Sequence, residues 1–230
     1  DDGTHVPLVF WGKPVKGGRL VEDFVSLSEL GPTLLDLVGL PRPPTMTTRS
    51  FVDLVRGRPL GIVRDAVFVE RERHANVRKG DLGYPIRGIR TKDHLLLLNL
   101  RPERWPAGDP EKHQSVGPFG DVDNCPTKSL LIAGRDDPRL RPYFELVFGL
   151  RPAVELYDLR HDPGQVRNVA ADPANASILA DLRRRVERWM ADTRDPRLDP
   201  KDDAIDRYRY HGDLNTWDKD NFDGAHLFGR

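Results

Sequence analysis

The stretch from Val154 to Met190 leaves little freedom in how it can fold. Apolar and polar residues alternate through Val154-Glu155-Leu156-Tyr157-Asp158-Leu159, the period-two pattern of a strand. Arg160-His161-Asp162-Pro163 ends it in a turn. Asp172 followed by Pro173 is a helix cap with proline at the first helical position. Ile178, Leu179, Leu182, Val186, Trp189 and Met190 then fall at helical spacing on one stripe, until Asp195-Pro196 stops the helix. A strand and an amphipathic helix in this order predict an antiparallel sheet with the last helix packed on it.

Three further strands are expected at Asp65 to Glu70, Pro85 to Thr91 and His94 to Leu100, the last two joined by the turn Thr91-Lys92-Asp93. Residues 101 to 128 read as loop, and Pro138 to Phe148 as helix. Near the start, the apolar run Val6 to Trp11 reads as a short buried strand. Ser28 caps a helix turning Leu30, Leu34, Leu35, Leu37 and Val38 inward, with Pro32 in its first turn and Gly39 as terminator. Pro41 to Pro44 is a linker, Ser50 caps a short helix through Arg56, and Arg197 to Arg230 reads as an irregular polar arm.

Bulk composition narrows the function classes. Lysines and arginines balance aspartates and glutamates at 36 each, so net charge does not argue for nucleic acid. No apolar run reaches the length of a membrane span. Cys125 is the single cysteine, which rules out an intrachain disulfide. Only 38% of residues are hydrophobic, so the core is expected to be thin. The chain starts Asp-Asp-Gly, with neither an initiator Met nor a signal-peptide pattern.

Glu155-Leu156-Tyr157-Asp158-Leu159 with Asp162-Pro163 and Asn168-Val169-Ala170 is similar to the closing segment of the sulfatase family. Gly3-Thr4-His5-Val6-Pro7-Leu8-Val9, followed by Val25-Ser26-Leu27 and Pro32-Thr33-Leu34-Leu35-Asp36-Leu37-Val38-Gly39-Leu40, resembles an earlier run. The middle, Arg73-His74 through Gly83-Tyr84-Pro85-Ile86-Arg87 to Arg90-Thr91-Lys92-Asp93, looks most like the sulfamidase-like branch that contains heparan N-sulfatase. The resemblance covers residues 1 to 196.

It implies the C-terminal portion of an enzyme of the alkaline-phosphatase-like superfamily, α/β plus α+β in class. Residues 1–40 would be the last elements of the α/β domain, 41–64 a linker and short helix, 65–196 a C-terminal α+β subdomain and 197–230 a tail. The implied reaction is hydrolysis of a sulfate ester or sulfamate on a sulfated glycan. The chain would supply a pocket wall and no nucleophile, and would be inactive alone. The missing N-terminal sulfatase domain would be its partner; calcium and formylglycine would belong to the full enzyme and not to this chain. Export to the periplasm, exterior or lysosome follows from the same resemblance. The alternatives are a non-catalytic carbohydrate-contacting module and a phosphatase or phosphodiesterase of the same superfamily.

Formylglycine is made within C/S-x-P-x-R, and Cys125-Pro126-Thr127-Lys128 departs from it in proline position and in lysine for arginine. Asp1 and Asp2 read as loop carboxylates, and Asp121-Val122-Asp123-Asn124, which lacks a closing Glu, as a solvated turn. The segment Glu70 to Arg90 is the best site candidate, because guanidinium forks and imidazole suit sulfate or carboxylate oxygens. His74, Arg73 and Arg78 are the expected substrate-binding residues, and the resemblance places a His-bearing loop at His74.

Overall fold

A computed structural model describes residues 3–111 and 117–208. Asp1, Asp2, Arg209 and His211 lie outside the described residues. The elements are helices α1 Leu30–Val38 and α2 Val52–Val55, strands β1 Ala66–Arg71, β2 Ile86–Thr91 and β3 His94–Asn99, helices α3 Pro126–Ala133 and α4 Arg141–Phe148, strand β4 Val154–Asp158 and helix α5 Ala176–Thr193.

The strands form one antiparallel sheet in sequence order. Its register pairs Phe68 with Ile89, Ile89 with Leu96 and Leu96 with Leu156. These residues share a face, and α5 covers it with Leu182, Val186 and Met190. Phe68 and Trp189 stack with centroids 5.0 Å apart. On β2 a side chain at Gly88 would come within 2.6 Å of the Leu96 carbonyl oxygen and 2.8 Å of Leu97 Cδ2, so β2 and β3 approach there closer than any Cβ allows.

The other face carries polar groups. Glu155 is buried and accepts from Asn99 Nδ2 at 2.6 Å, from Arg151 and from the Tyr157 hydroxyl. Burial pushes Glu155 up, but these donors together hold it below the usual carboxylate range. Tyr157 therefore points away from α5; strand alternation gives that side to Leu156.

Other departures from the sequence reading have local causes. Val6 to Trp11 forms no strand, and Val9 and Trp11 are exposed at 85% and 94%. An apolar run on both sides needs sheet neighbours, and no described strand pairs with it. Ser26, rather than Ser28, begins the first helical turn, its N–H bonded to Glu29 Oε2 at 2.9 Å. In α1, Leu30 and Leu37 pack with Phe51 and Leu54, whereas Leu34 and Val38 face outward. Helix α3 lies partly inside the stretch read as loop; Cys125 caps it and Pro126 opens it. The stretch 197–208 is not a loose arm: Arg197 is buried and bonds Glu72 and Asp203.

Candidate functional site

The loop joining β1 to β2, residues 72–85, is held by a second loop running from 101 to 125. The chain cannot bury so much loop unless its polar groups are matched. Val77 O accepts the Asp109 N–H at 2.9 Å, and Asp109 Oδ2 accepts the Lys79 N–H at 2.6 Å. Phe119 lies between Trp105, Phe144 and Phe148, so the second loop has its own aromatic core. Buried Lys128, from α3, donates to the carbonyl oxygens of Phe119 and Val122 at 3.2 and 2.6 Å. That fixes the turn carrying Asp121.

Asp121 is the hub of the site. Its side chain is 2% exposed. Arg71 Nη2 donates to Oδ2 at 2.7 Å, Arg78 Nη2 to the same oxygen at 2.6 Å, and His74 Nδ1 lies 3.1 Å from Oδ1. Arg71 ends β1 on the face away from α5, and its guanidinium remains one third exposed. His74 is exposed at 70% and stands at the rim.

The expected binding residues occupy different depths. His74 is at the surface. Arg78 is enclosed, donating from Nε to Trp105 O and from Nη2 to Pro106 O, both at 2.7 Å. Burial lowers its pKa, opposed by the Asp121 charge. Its guanidinium also lies 5.6 Å from the centroid of the Tyr84 ring, and Tyr84 is pushed up to about 12, by burial first and then by Glu155. Arg73 turns to backbone oxygens instead, Asp81 O at 3.0 Å and Tyr208 O. Asp121 joins His74, Arg71 and Arg78, and Arg73 stands nearby with its bonds to Asp81 O and Tyr208 O. The reading of Asp121 as a solvated turn is corrected: the flanking Phe119 and Val122, both packed inward, were the signal that this turn is anchored.

Among the described residues no group of three or more His, Cys, Asp or Glu could hold a metal ion. Cys125 caps α3, accepting the Lys128 N–H at 3.4 Å. The described residues therefore offer no cluster that fits calcium, and Cys125 serves as a helix cap. No described helix is long and apolar enough to cross a membrane.

No family model matches the chain. Curated relatives do. The chain is 39% identical over 214 residues to a Delta 4,5-hexuronate-2-O-sulfatase of Bacteroides thetaiotaomicron, covering 92% of this chain and 34% of that protein. It is 29% identical over 205 residues to the N-sulphoglucosamine sulphohydrolase of Homo sapiens, covering 84% of this chain and 38% of that one. The chain thus spans about a third of the length of these relatives. A solved 2-O glycosaminoglycan sulfatase superposes with a TM-score of 0.45 at 19% identity, over 74% of this chain and 25% of that one. The phosphonate monoester hydrolase of Agrobacterium radiobacter superposes at 0.46 and 19%, over 76% and 26%.

The described residues form an α+β unit, a sheet with a closing helix, and the chain is similar to sulfatases over about a third of their length. More particularly, the chain resembles the C-terminal portion of sulfatases, the N-sulphoglucosamine sulphohydrolase of Homo sapiens among them.

Proposed function

We propose that this chain forms the C-terminal part of a sulfuric ester or sulfamate hydrolase acting on sulfated glycans, where it builds a wall of the substrate pocket and supplies no nucleophile. The observation that carries the reading is the group around Asp121. Two guanidiniums and one imidazole converge on a single buried carboxylate, and the imidazole is left at the surface. The sulfated-glycan class is supported by what the relatives' names say they act on. In this reading His74 touches substrate, Arg78 supports it from beneath through Asp121, and Arg73 shapes the loop edge. Calcium and formylglycine belong to the portion that this chain does not span, and the whole enzyme is exported.

The same reading divides the chain into 1–40, 41–64, 65–196 and 197–230. Residues 1–40 complete an α/β domain whose remainder lies in the longer protein. Their exposed apolar side chains support this. Val9, Trp11 and Leu20 are each at least 85% exposed, and they adjoin a groove of about 470 Å3 lined by Leu8, Phe10, Val25 and Phe51. A surface patch of this kind calls for a partner.

The test uses the full-length enzyme. His74→Ala should lower kcat/KM by about three- to tenfold, the loss of one hydrogen bond to a substrate hydroxyl, with the thermal midpoint unchanged. Arg188→Ala on the exposed side of α5 should leave both unchanged. Small, equal effects would remove His74 from the pocket. This chain alone, with calcium, should not hydrolyse an aryl sulfate; turnover surviving a contaminant control would overturn the proposed division of labour.

A further inference from the structure

The geometry points to Asp121 as a positioning residue that fixes the tautomer of His74, placing the proton on Nδ1 and leaving Nε2 as an outward-facing hydrogen-bond acceptor. Its functional consequence rests on the proposed pocket role of His74, whereas the tautomer does not.

The argument begins with donors and acceptors. A carboxylate has only acceptor sites. Arg71 and Arg78 both donate to Asp121 Oδ2, and the partner that makes charge-assisted bonds to two guanidiniums is the carboxylate. Its other oxygen, Oδ1, lies 3.1 Å from His74 Nδ1, and a neutral imidazole can meet it only with an Nδ1–H. Nε2 is then a bare lone pair on a side chain that is 70% exposed.

The carboxylate is itself immobile. Arg78 is anchored by two carbonyl oxygens in the 101–125 loop, and the Asp121 N–H is bonded to Ala107 O at 3.0 Å. The imidazole is therefore aimed by a residue 47 positions away in sequence. This differs from His161, whose Nδ1 meets Asp158 three residues back within an exposed turn.

The consequence concerns which substrate group the site can take. A neutral Nδ1–H imidazole accepts at its outer edge and cannot donate there. The neutral His74 would accept from a sugar hydroxyl or an amine N–H, while the sulfate oxygens would fall to Arg71, whose guanidinium is partly open beside it. The site would thus read a hydroxyl next to an anion, a pairing that sugar sulfates present.

The test is the nitrogen spectrum of the histidine rings in this chain, recorded with long-range proton–nitrogen correlation from low pH to the neutral form. His74 should show Nδ1 as the protonated nitrogen and Nε2 as the bare one, with the preference at least about tenfold, as a charge-assisted bond gives. His5, exposed near the start, provides the reference for a solvent-averaged ring. A proton on Nε2 of His74, or an averaged pattern like that of His5, would overturn the inference. Asp121→Asn should relax the preference; its persistence would remove Asp121 from the positioning role. Because that variant could unfold, Arg71→Gln is the second arm. It keeps Asp121 and Arg78 and should retain the Nδ1–H form, and loss of that form would overturn the claim that the carboxylate alone sets it. A confirmed tautomer with normal turnover of the full-length His74→Ala enzyme would leave the positioning intact and defeat only the pocket reading.

Discussion

Arg87 and Asp195, 108 residues apart in the chain, meet through two hydrogen bonds, Nε to Oδ2 at 2.5 Å and Nη2 to Oδ1 at 3.1 Å. Arg87 Nη2 also donates to Glu72 Oε1 at 2.7 Å. This buried fork ties β2 to the residues following α5, so the helix end is fixed by charge as well as by apolar packing. Burial alone would lower the pKa of Arg87, but the Asp195 and Glu72 partners outweigh it.

Removing one side of that fork should be costly. Arg87→Ala removes both guanidinium bonds to Asp195 and leaves it the Arg197 N–H, and breaking a buried pair by deleting one partner destabilises by about 3 to 5 kcal/mol. The urea midpoint of this variant measures it. A loss below about 1 kcal/mol, the range of exposed pairs, would show that the fork is solvated in solution.

Acid should loosen the same region. Burial pushes Asp195 up, yet the hydrogen bonds from Arg87 and the Arg197 N–H hold it below the ordinary carboxylate range. Asp206 is raised by burial and held down by the Gly83 N–H and Arg104. A depressed folded pKa gives stability that is complete above the unfolded value and is lost as pH falls through the folded one. Stability should therefore decline below about pH 4, and Asp195→Asn should flatten that decline. An identical acid slope in the variant would show that Asp195 does not contribute. At the alkaline end, Tyr84 is raised to about 12, so its contribution is present below about pH 10 and lost as pH rises towards 12.

The Phe68–Trp189 stack invites a double-mutant cycle. Trp189→Ala should cost about 3 kcal/mol, and the coupling with Phe68→Ala should be about 0.5 to 1.5 kcal/mol. Additive losses would mean that α5 docks without this contact.

Gly88→Ala tests the closeness of β2 and β3. The added methyl would meet backbone at the Leu96 oxygen, which cannot swing aside. Overpacking of this kind costs about 1 to 3 kcal/mol. Unchanged thermal stability would show that the strands can part at no expense.

The sheet and α5 were legible because period-two and helical stripes are written by the residues that bury them: Leu156 in β4, and Leu182, Val186 and Met190 in α5. The Asp172-Pro173 cap was legible for a local reason, since Asp172 Oδ1 accepts the Ala174 N–H. What pattern could not show was long-range polar matching. Nothing local marks Asp121 as a partner of Arg71, 50 residues earlier, or Arg197 as buried against Glu72, 125 residues away. His74 was found as a member of a charged segment. The depth at which Arg78 lies depends on Trp105 and Pro106, which belong to a loop without periodicity.

The described end of the chain has a consequence for proteolysis. Asp203 bonds Arg101, and Asp206 bonds Arg104 and the Gly83 N–H, so the loops flanking His74 are laced by carboxylates that follow α5 in the chain. A cut after Arg194 would leave every strand and α5 in place. It would nonetheless remove Asp195 from Arg87, Asp203 from Arg101 and Asp206 from Arg104 together, leaving Arg87 to Glu72 alone among its hydrogen-bonded carboxylates. A nick in a stretch that reads as dispensable polar chain would thus act on the interior, much as a core substitution does.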